Sequence, residues 1–270
     1  MKIRSIVICA DDFGLHAGVN AACIDLAERG RLSAVSCLAG GPAWRGARAE
    51  IGRLASLPVD LGLHLDFTEF PLGKGVGHSL NGLIALAYTR RLRDAQIVAE
   101  IHAQLDAFEA VAGRPPDHVD GHQHVHQLPM IREALLRTLE QRYCPHKPWI
   151  RNTAALGATG TPRLKAMVIA GMGRGALAGL AKARHFPQNL RLGGVYGFQA
   201  TQETYKELLR RWFDAFETGD VLMCHPGSGN FPGDTIGGAR STEFAVLGSN
   251  WFGEQLAGAG MTVGRLLSTE

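Results

Sequence analysis

The chain has 270 residues, of which 46% are hydrophobic and 20% are charged, and its formal net charge at pH 7 is +3. This composition excludes global disorder, allows a sizeable core, and carries too little charge to indicate nucleic-acid binding. The five cysteines form no C-x-x-C pair, which is typical of free thiols in a reducing compartment. Because the sequence has neither a signal-peptide core nor an apolar stretch long enough to span a bilayer, we expect a soluble, cytoplasmic protein.

The N-terminal part alternates predicted strands and helices. Apolar, β-rich runs predict buried strands at residues 5–10, 32–39 and 59–65. Apolar residues at helical spacing predict the helices between them, at residues 17–29 and 43–55.

Polar residues stand at the ends of two of these strands. Asp11 and Asp12 directly follow the first strand, and His64 lies near the end of the third. The acids could form a solvated turn or a helix N-cap, and His64 could be a hydrogen-bonded core residue. Adjacent acids repel each other, however, and parallel α/β folds place their chemistry at the carboxyl ends of strands. We therefore interpret all three as functional residues.

The middle of the chain contains a histidine cluster. A Gly-rich segment at 70–82 predicts a loop over the active-site end, and a helix is predicted at 95–112. A strand then leads into His122, His124 and His126, which occupy alternate positions. They would share one face if the strand continued, and would fan out around a loop if it ended near Gly121. Surface or hydrogen-bonded histidines are the alternative, but three imidazoles in one small volume favour a metal or catalytic centre.

The C-terminal half continues the alternation. Helices are predicted at 128–142, 204–217 and 240–255, the last with a break near Gly248, and strands at 149–150, 193–198, 220–224 and 261–266. Two of these strands end at Arg151 and His225. Residues 141–202 contain basic residues but no Asp or Glu. This stretch indicates either an ordinary outer helix or a basic surface for a membrane or a phosphate-bearing substrate.

The alternation along the whole length predicts a parallel α/β barrel, formed as a single domain over 1–270 with insertions at 70–82 and 156–192. A barrel would gather the polar residues of the strand ends on one face. Two imidazoles and one carboxylate are a typical catalytic metal set that leaves positions open for water. A second carboxylate could take the proton of that water and a histidine could protonate the leaving group, which suits hydrolysis of an amide or ester.

The residues at the strand ends, together with the sequence around them, resemble the motifs of a known protein family. The chain resembles the YdjC-like carbohydrate deacetylases, a group that includes chitooligosaccharide deacetylase and the hopanoid-associated deacetylases. The resemblance rests on Ala10-Asp11-Asp12-Phe13-Gly14, Gly62-Leu63-His64, residues 119–126, Met223-Cys224-His225-Pro226, and the spacing of Arg240, Glu243, Leu247 and Ser249. Asp120-Gly121-His122 stands where chitooligosaccharide deacetylase has Asp-Ser-His.

The resemblance implies a distorted (β/α) barrel that uses one divalent metal ion, Zn²⁺ or Mg²⁺, to remove an N-acetyl group from an amino sugar. The roles it implies are metal ligands for Asp12, His64 and His122, a general base for Asp11 held ionised by Arg151, and a general acid for His225. His124 and His126 are expected to contact the sugar or to support the metal ligands, and Thr68 is expected to contact the substrate.

The resemblance leaves the substrate and the assembly open. The acetylated sugar could be an oligosaccharide or a lipid-linked glycan, and a lipid-linked one would bring peripheral membrane contact. We expect a homodimer. A metal-dependent phosphoesterase is the alternative enzyme and would need two metal ions per chain. A non-catalytic sugar-binding protein would lack the base or a metal ligand.

Overall fold

The computed structural model describes residues 3–156, 173–229 and 231–266, and these residues are organised around a sheet of eight parallel strands. The strands are β1 (Arg4–Phe13), β2 (Ala34–Cys37), β3 (Asp60–Leu65), β4 (His118–Gly121), β5 (Trp149–Ile150), β6 (Leu192–Gly193), β7 (Val221–Cys224) and β8 (Met261–Val263). Their order is β5-β4-β3-β2-β1-β7-β6, and β8 pairs with the first residues of β1. Every residue of β2, β3, β4 and β7 is buried, as expected for parallel strands covered on both faces.

The sheet is curled into a distorted barrel. Two isolated parallel bridges, Ile150 to Gln188 and Ala155 to Leu192, connect the β5 side of the sheet to the β6 side. Because these are single bridges and not a continuous ladder, the barrel closes weakly at this seam. The predicted fold class, a parallel α/β distorted barrel, is confirmed.

Helices connect the strands and cover the sheet. They are α1 (Ala17–Glu28), α2 (Arg48–Ala55), α3 (Leu80–Tyr88), α4 (Asp94–Ala112), α5 (Ile131–Tyr143), α6 (Arg174–Ala183), α7 (Gln202–Ala215), α8 (Gly237–Leu247) and α9 (Asn250–Gly258), with a 3₁₀ turn at His122–Gln127. The predicted break near Gly248 is confirmed, because Ser249 caps a new helix by accepting a hydrogen bond from the backbone N–H of Phe252.

Several predicted elements differ from the structure in their bounds. The first strand extends to Phe13 and so includes Asp11 and Asp12, which were expected to follow it, and the strands predicted at 32–39 and 261–266 are shorter. The second helix begins at Arg48 and not at residue 43, because the preceding residues form turns. The strand predicted at 193–198 is only Leu192–Gly193, since Gly194 has a φ of 91° that turns the chain out of the extended conformation. The segment predicted as a loop at 70–82 contains the start of helix α3.

The acid-free stretch at 141–202 is only partly described, because residues 157–172 lie outside the described ranges. Three of its described cations are paired with acids from other elements, since Lys147 and Arg184 bind Glu140 and Arg191 binds Asp220. These pairs are typical of an ordinary outer surface. No helix among the described residues is long and apolar enough to cross a membrane.

Candidate metal centre

Asp11 and Asp12 line the same cavity although they are neighbours in β1. Neighbouring side chains of a regular strand point to opposite faces, so a regular β1 would present only one of them. The register between β1 and β2 shifts between Ala10 and Phe13, and Asp12 has a φ of 69°. A left-handed conformation is strained for a residue other than glycine, and such strain is typical of functional sites. This irregularity turns both carboxylates towards the cavity.

The next strands contribute His64 and Asp120, which are register partners in β3 and β4. The Nδ1 atom of His64 lies 2.6 Å from Oδ1 of Asp120, and its Nε2 atom lies 3.4 Å from Oδ1 of Asp12. A carboxylate on one imidazole nitrogen fixes the ring and leaves the other nitrogen for a metal ion. Burial would lower the pKa of His64, but the charges of Asp120 and Asp11 and the hydrogen bonds to Asp12 and Asp120 together raise it to about 9. A proton therefore competes with a cation for this ring.

The histidine cluster fans out around a turn, because β4 ends at Gly121 and Gln123 and His124 are left-handed, with φ of 52° and 60°. His122 points its Nδ1 atom at Oδ1 of Asp12, 3.0 Å away. His124 lines the cavity. His126 is fully buried behind it, and its Nε2 atom lies 3.0 Å from the carbonyl oxygen of Arg151, in donating distance. His126 was expected either to contact the sugar or to support the metal ligands, and its buried position is compatible with the second role.

One donor atom each from Asp12, His64 and His122 lies within 4.8 Å of the others. The second oxygen of Asp12 accepts a hydrogen bond of 2.8 Å from Arg240, which leaves Oδ1 facing the two imidazoles. Burial would raise the pKa of Asp12, but Arg240 and then His122 hold it well below its usual value. Two imidazole nitrogens and an ionised carboxylate fit a divalent cation with open positions.

Two other groups of donors overlap this site. Cys9, His118 and Asp120 form one, and Asp11, His64 and Asp120 form the other. Both need Asp120, whose oxygens already accept hydrogen bonds from His64, Ser36 and Arg151. In the group around Asp12, by contrast, Oδ1 of Asp12 contacts the imidazole nitrogens of His122 and His64 at 3.0 and 3.4 Å, so these three atoms face one another where a cation could bind.

Arg151 holds Asp11 beside this group. The guanidinium is fully buried and donates to the two carboxylate oxygens of Asp11 at 2.6 and 2.7 Å. The same guanidinium lies 2.5 Å from Asp120. Asp11 is thus oriented by a guanidinium that it shares with Asp120, and it is not one of the three candidate ligands.

His225 faces the cavity at the end of β7, and its backbone is fixed by a buried acid. Glu243 accepts hydrogen bonds from the His225 backbone N–H at 2.5 Å and from the Tyr196 hydroxyl at 2.7 Å. The Nδ1 atom of His225 is buried without a partner among the described residues, so Nε2 is the nitrogen available to the cavity. Burial lowers the pKa of His225 to about 4, although Asp11 and Asp12 oppose this effect.

The cavity has a volume of about 730 Å³, and its wall has a polar part and an apolar part. The polar residues described above occupy one part, and the remainder is largely apolar, formed by Leu15, Phe70, Leu80, Ile84, Val195, Phe198, Met223, Phe231 and Ile236. The hydroxyl of Thr68 donates to Asp66 at 2.6 Å. The structure therefore gives Thr68 a place in the loop that follows β3, not on the described cavity wall.

Sequence reasoning missed Glu69 as a wall residue. Its side chain is 47% exposed, and Oε1 lies 3.4 Å from Nε2 of His122. The Gln123 side chain donates to the same oxygen at 3.0 Å. The position of Glu69 five residues after His64 was the available signal, but a loop after a strand does not predict which side chain turns inward.

Comparison of the sequence with known proteins gives a match over most of its length. The family model described as YdjC-like protein matches residues 5–258. A carbohydrate deacetylase of Danio rerio is 30% identical over 146 residues, which are 50% of this chain and 46% of the relative. A chitooligosaccharide deacetylase of Yersinia pestis (strain Pestoides F) is 26% identical over 272 residues and 98% of each chain. The match thus spans about half the length of the animal relative.

Solved structures share the fold at low sequence identity. One is a crystal structure of a protein from Enterococcus faecalis V583 that has been suggested to cleave cellobiose phosphate. It superposes with a TM-score of 0.72 at 18% identity, covering 98% of both chains. A family 4 carbohydrate esterase from Streptomyces lividans, in complex with acetate, gives a TM-score of 0.53 at 9% identity, covering 98% of this chain and 93% of the esterase. These likenesses support the distorted barrel.

Proposed function

The chain belongs to the YdjC-like protein family, and from this premise we propose that it is a metal-dependent hydrolase that removes an N-acetyl group from an amino sugar. The observation that carries the proposal is the grouping of Asp12, His64 and His122 within 4.8 Å, with Asp11 held separately beside them. The names of the relatives, carbohydrate deacetylase and chitooligosaccharide deacetylase, supply the reaction and the class of substrate.

We assign Asp12, His64 and His122 as ligands of one divalent cation. When bound, this ion would polarise the acetamide carbonyl, acidify a water molecule and stabilise the oxyanion that develops during attack. Asp120 holds His64 in the required orientation, and Arg240 holds Asp12. Two nitrogen donors favour zinc over magnesium, which prefers oxygen ligands. Elemental analysis of the purified protein would distinguish the two metals.

Asp11 is the proposed general base. Arg151 binds both oxygens of Asp11 and so fixes the plane of its carboxylate. The carboxylate lone pairs that point away from the guanidinium remain able to take a proton from water. Because Arg151 also binds Asp120, one buried cation orients both the base and the support of His64.

His225 is the proposed general acid for the departing amine. Its pKa of about 4 in the free protein means that the ring is neutral at pH 7. To act as an acid it must therefore gain a proton in the enzyme–substrate complex. The proton that Asp11 removes from water is the one that the amine finally needs, and passage through Nε2 of His225 would deliver it.

The apolar part of the cavity bears on the substrate. We assign sugar contact to His124, which lines the cavity, and supporting roles to His126 and Thr68, which are not among its described lining residues. A large apolar wall suits a sugar that carries an apolar group, so a lipid-linked glycan fits better than a free oligosaccharide. We further propose a cytoplasmic homodimer, which light scattering and cell fractionation would test.

Acetate release from a panel of soluble and lipid-linked N-acetyl amino sugars tests the function. We expect release that a chelator abolishes and that one equivalent of zinc restores. Activity confined to phosphate esters, with two metal ions per chain, would support the alternative phosphoesterase. Metal binding without release from any member of the panel would support a sugar-binding protein.

A further inference from the structure

Helix α3 lies at the mouth of the cavity and carries no charged residue on any side. Leu83 and Ala87 are buried against the core, and Leu80 and Ile84 line the cavity wall. On the outer side, Ala85 is exposed and Tyr88 is 48% exposed. Asn81 is its only strongly polar residue, and a helix so rich in apolar residues is normally buried, so an uncharged face that remains partly exposed is unusual.

Cations frame this helix at both ends. No acidic residue occurs between Glu69 and Asp94, and the four cations in this interval are all exposed: Lys74, Arg90, Arg91 and Arg93. Asp94 binds Arg137 at 3.0 Å, which neutralises the nearest acid after the helix. Leu72, in the loop before α3, is also exposed. We call this set the α3 surface: Leu72, Lys74, residues 80–88, Arg90, Arg91 and Arg93.

We propose that the α3 surface docks on an anionic phospholipid membrane. A helix with an apolar face and basic flanks lies in the membrane interface, where its apolar side chains enter the headgroup boundary and its cations meet anionic lipids. A second copy of the chain fits poorly, because two such surfaces would bring eight exposed cations together. The cations of the α3 surface thus favour an anionic partner. Its apolar helix favours a partner whose hydrocarbon layer is accessible, as in a lipid bilayer.

Docking in this way gives the cavity a direct opening to the membrane. Leu80 and Ile84 belong to the α3 surface and to the cavity wall, so the apolar part of the cavity is continuous with the docked helix. A substrate with a lipid anchor could then enter without leaving the bilayer fully. The docking itself does not depend on the proposed reaction, and it is measured without any substrate.

Vesicle co-sedimentation of the full chain tests the proposal. We expect sedimentation with vesicles of phosphatidylglycerol and phosphatidylcholine, little with phosphatidylcholine alone, and weakening as salt is raised. Each basic residue near an anionic surface contributes roughly a fivefold gain in binding, so the variant R90E/R91E/R93E should bind at least about 100-fold more weakly. The variant L72S/Y88S should also lose binding without any change in net charge.

A matched control separates the α3 surface from overall charge. The variant R45E/K182E/R211E makes the same change in net charge at three other exposed positions and should keep nearly full binding. Equal losses in the two triple variants, or no binding of the original chain to anionic vesicles at low salt, would overturn the proposal. So would a dimer in the absence of vesicles that R90E/R91E/R93E dissociates. Circular dichroism of each variant checks that it is folded.

Discussion

Asp11 and Asp12 are adjacent acids, and each binds a different buried arginine. Arg151 binds both oxygens of Asp11, and Arg240 binds one oxygen of Asp12. The other oxygen of Asp12 lies 3.4 and 3.0 Å from the imidazoles of His64 and His122, whereas Asp11 faces the cavity beside them. Two identical side chains can therefore perform two different tasks, because their surroundings differ.

Replacing Asp11 by asparagine should abolish turnover and keep the metal ion. An amide cannot accept the proton of water, so we expect kcat to fall at least about 100-fold. Metal content measured by elemental analysis should stay near that of the original protein. Asp12→Asn is the control, since it should lose metal and activity together. Normal deacetylation by the Asp11→Asn variant would show that another group is the base.

His225→Asn should make the reaction sensitive to the leaving group. A sugar amine needs a proton to depart, so its release should slow about 100-fold or more without the imidazole. A nitrophenolate needs none, and hydrolysis of p-nitrophenyl acetate should fall less than about tenfold. Asp11→Asn should impair both reactions. If His225→Asn slows both substrates equally, His225 positions the site and does not supply the proton.

The polar residues at the ends of the strands could be identified from the sequence, and they lie close together in the structure. The family resemblance paired Arg151 with Asp11, but the sequence did not reveal the counterion of Asp12. Arg240 lies 228 residues after Asp12, and no local pattern couples the two positions. The left-handed backbone of Asp12 was equally hidden, because it depends on the register shift between β1 and β2.

At the scale of elements, the register of β3 and β4 sets the geometry of the site. Pairing His64 with Asp120 places an acid directly beside the imidazole, and Ser36 of β2 donates to the other oxygen of that acid at 2.6 Å. Three neighbouring strands thus fix one ring. The buried strands were predictable because their apolar runs are short and continuous, whereas the start of α3 was hidden by glycines that resemble a loop.

Asp120→Asn should weaken metal binding without removing a ligand. The amide keeps the size of the side chain but accepts a weaker hydrogen bond from Nδ1 of His64 than the carboxylate does. We therefore expect a loss of about 10- to 100-fold in metal affinity. Competition with a chromophoric chelator measures it. Asp117→Asn, just before the start of the same strand, is the matched control and should leave the affinity unchanged. Equal affinities in both variants would remove Asp120 from this role.

At the scale of the whole molecule, distant parts of the chain meet at Glu243. This residue of α8 is fully buried and binds the backbone of His225 and the hydroxyl of Tyr196. Burial raises the pKa of Glu243 to about 7, against the hydrogen bonds from His225 and Tyr196 and the charge of Arg240. The sequence predicted the barrel that creates this meeting point, but not its closure, since single bridges between distant segments leave no periodic pattern. The single-domain boundary stays a prediction.

Glu243 should make stability depend on pH. An unfolded glutamate has a pKa of about 4.3, so the folded state binds more protons between about pH 4.3 and 7. The stability contributed by the protonated group is therefore full below about pH 4.3, falls across this window and is lost by about pH 7. The loss is roughly 4 kcal/mol in all, with about 2.5 kcal/mol of it above pH 5. Urea unfolding at pH 5 and pH 8 should show this difference, and Glu243→Gln should reduce it. An unchanged difference in the variant would assign the effect to other groups.

The irregular end of β1 also limits how this centre could be transferred to another scaffold. Copying the two acids onto an ideal strand would send one carboxylate to the far side of the sheet, because an ideal strand lacks the left-handed residue at position 12. A graft must therefore carry the irregular backbone from Ala10 to Phe13 and the strand that pairs with it. The portable unit is a distorted pair of strands, and the acidic dipeptide alone is not enough.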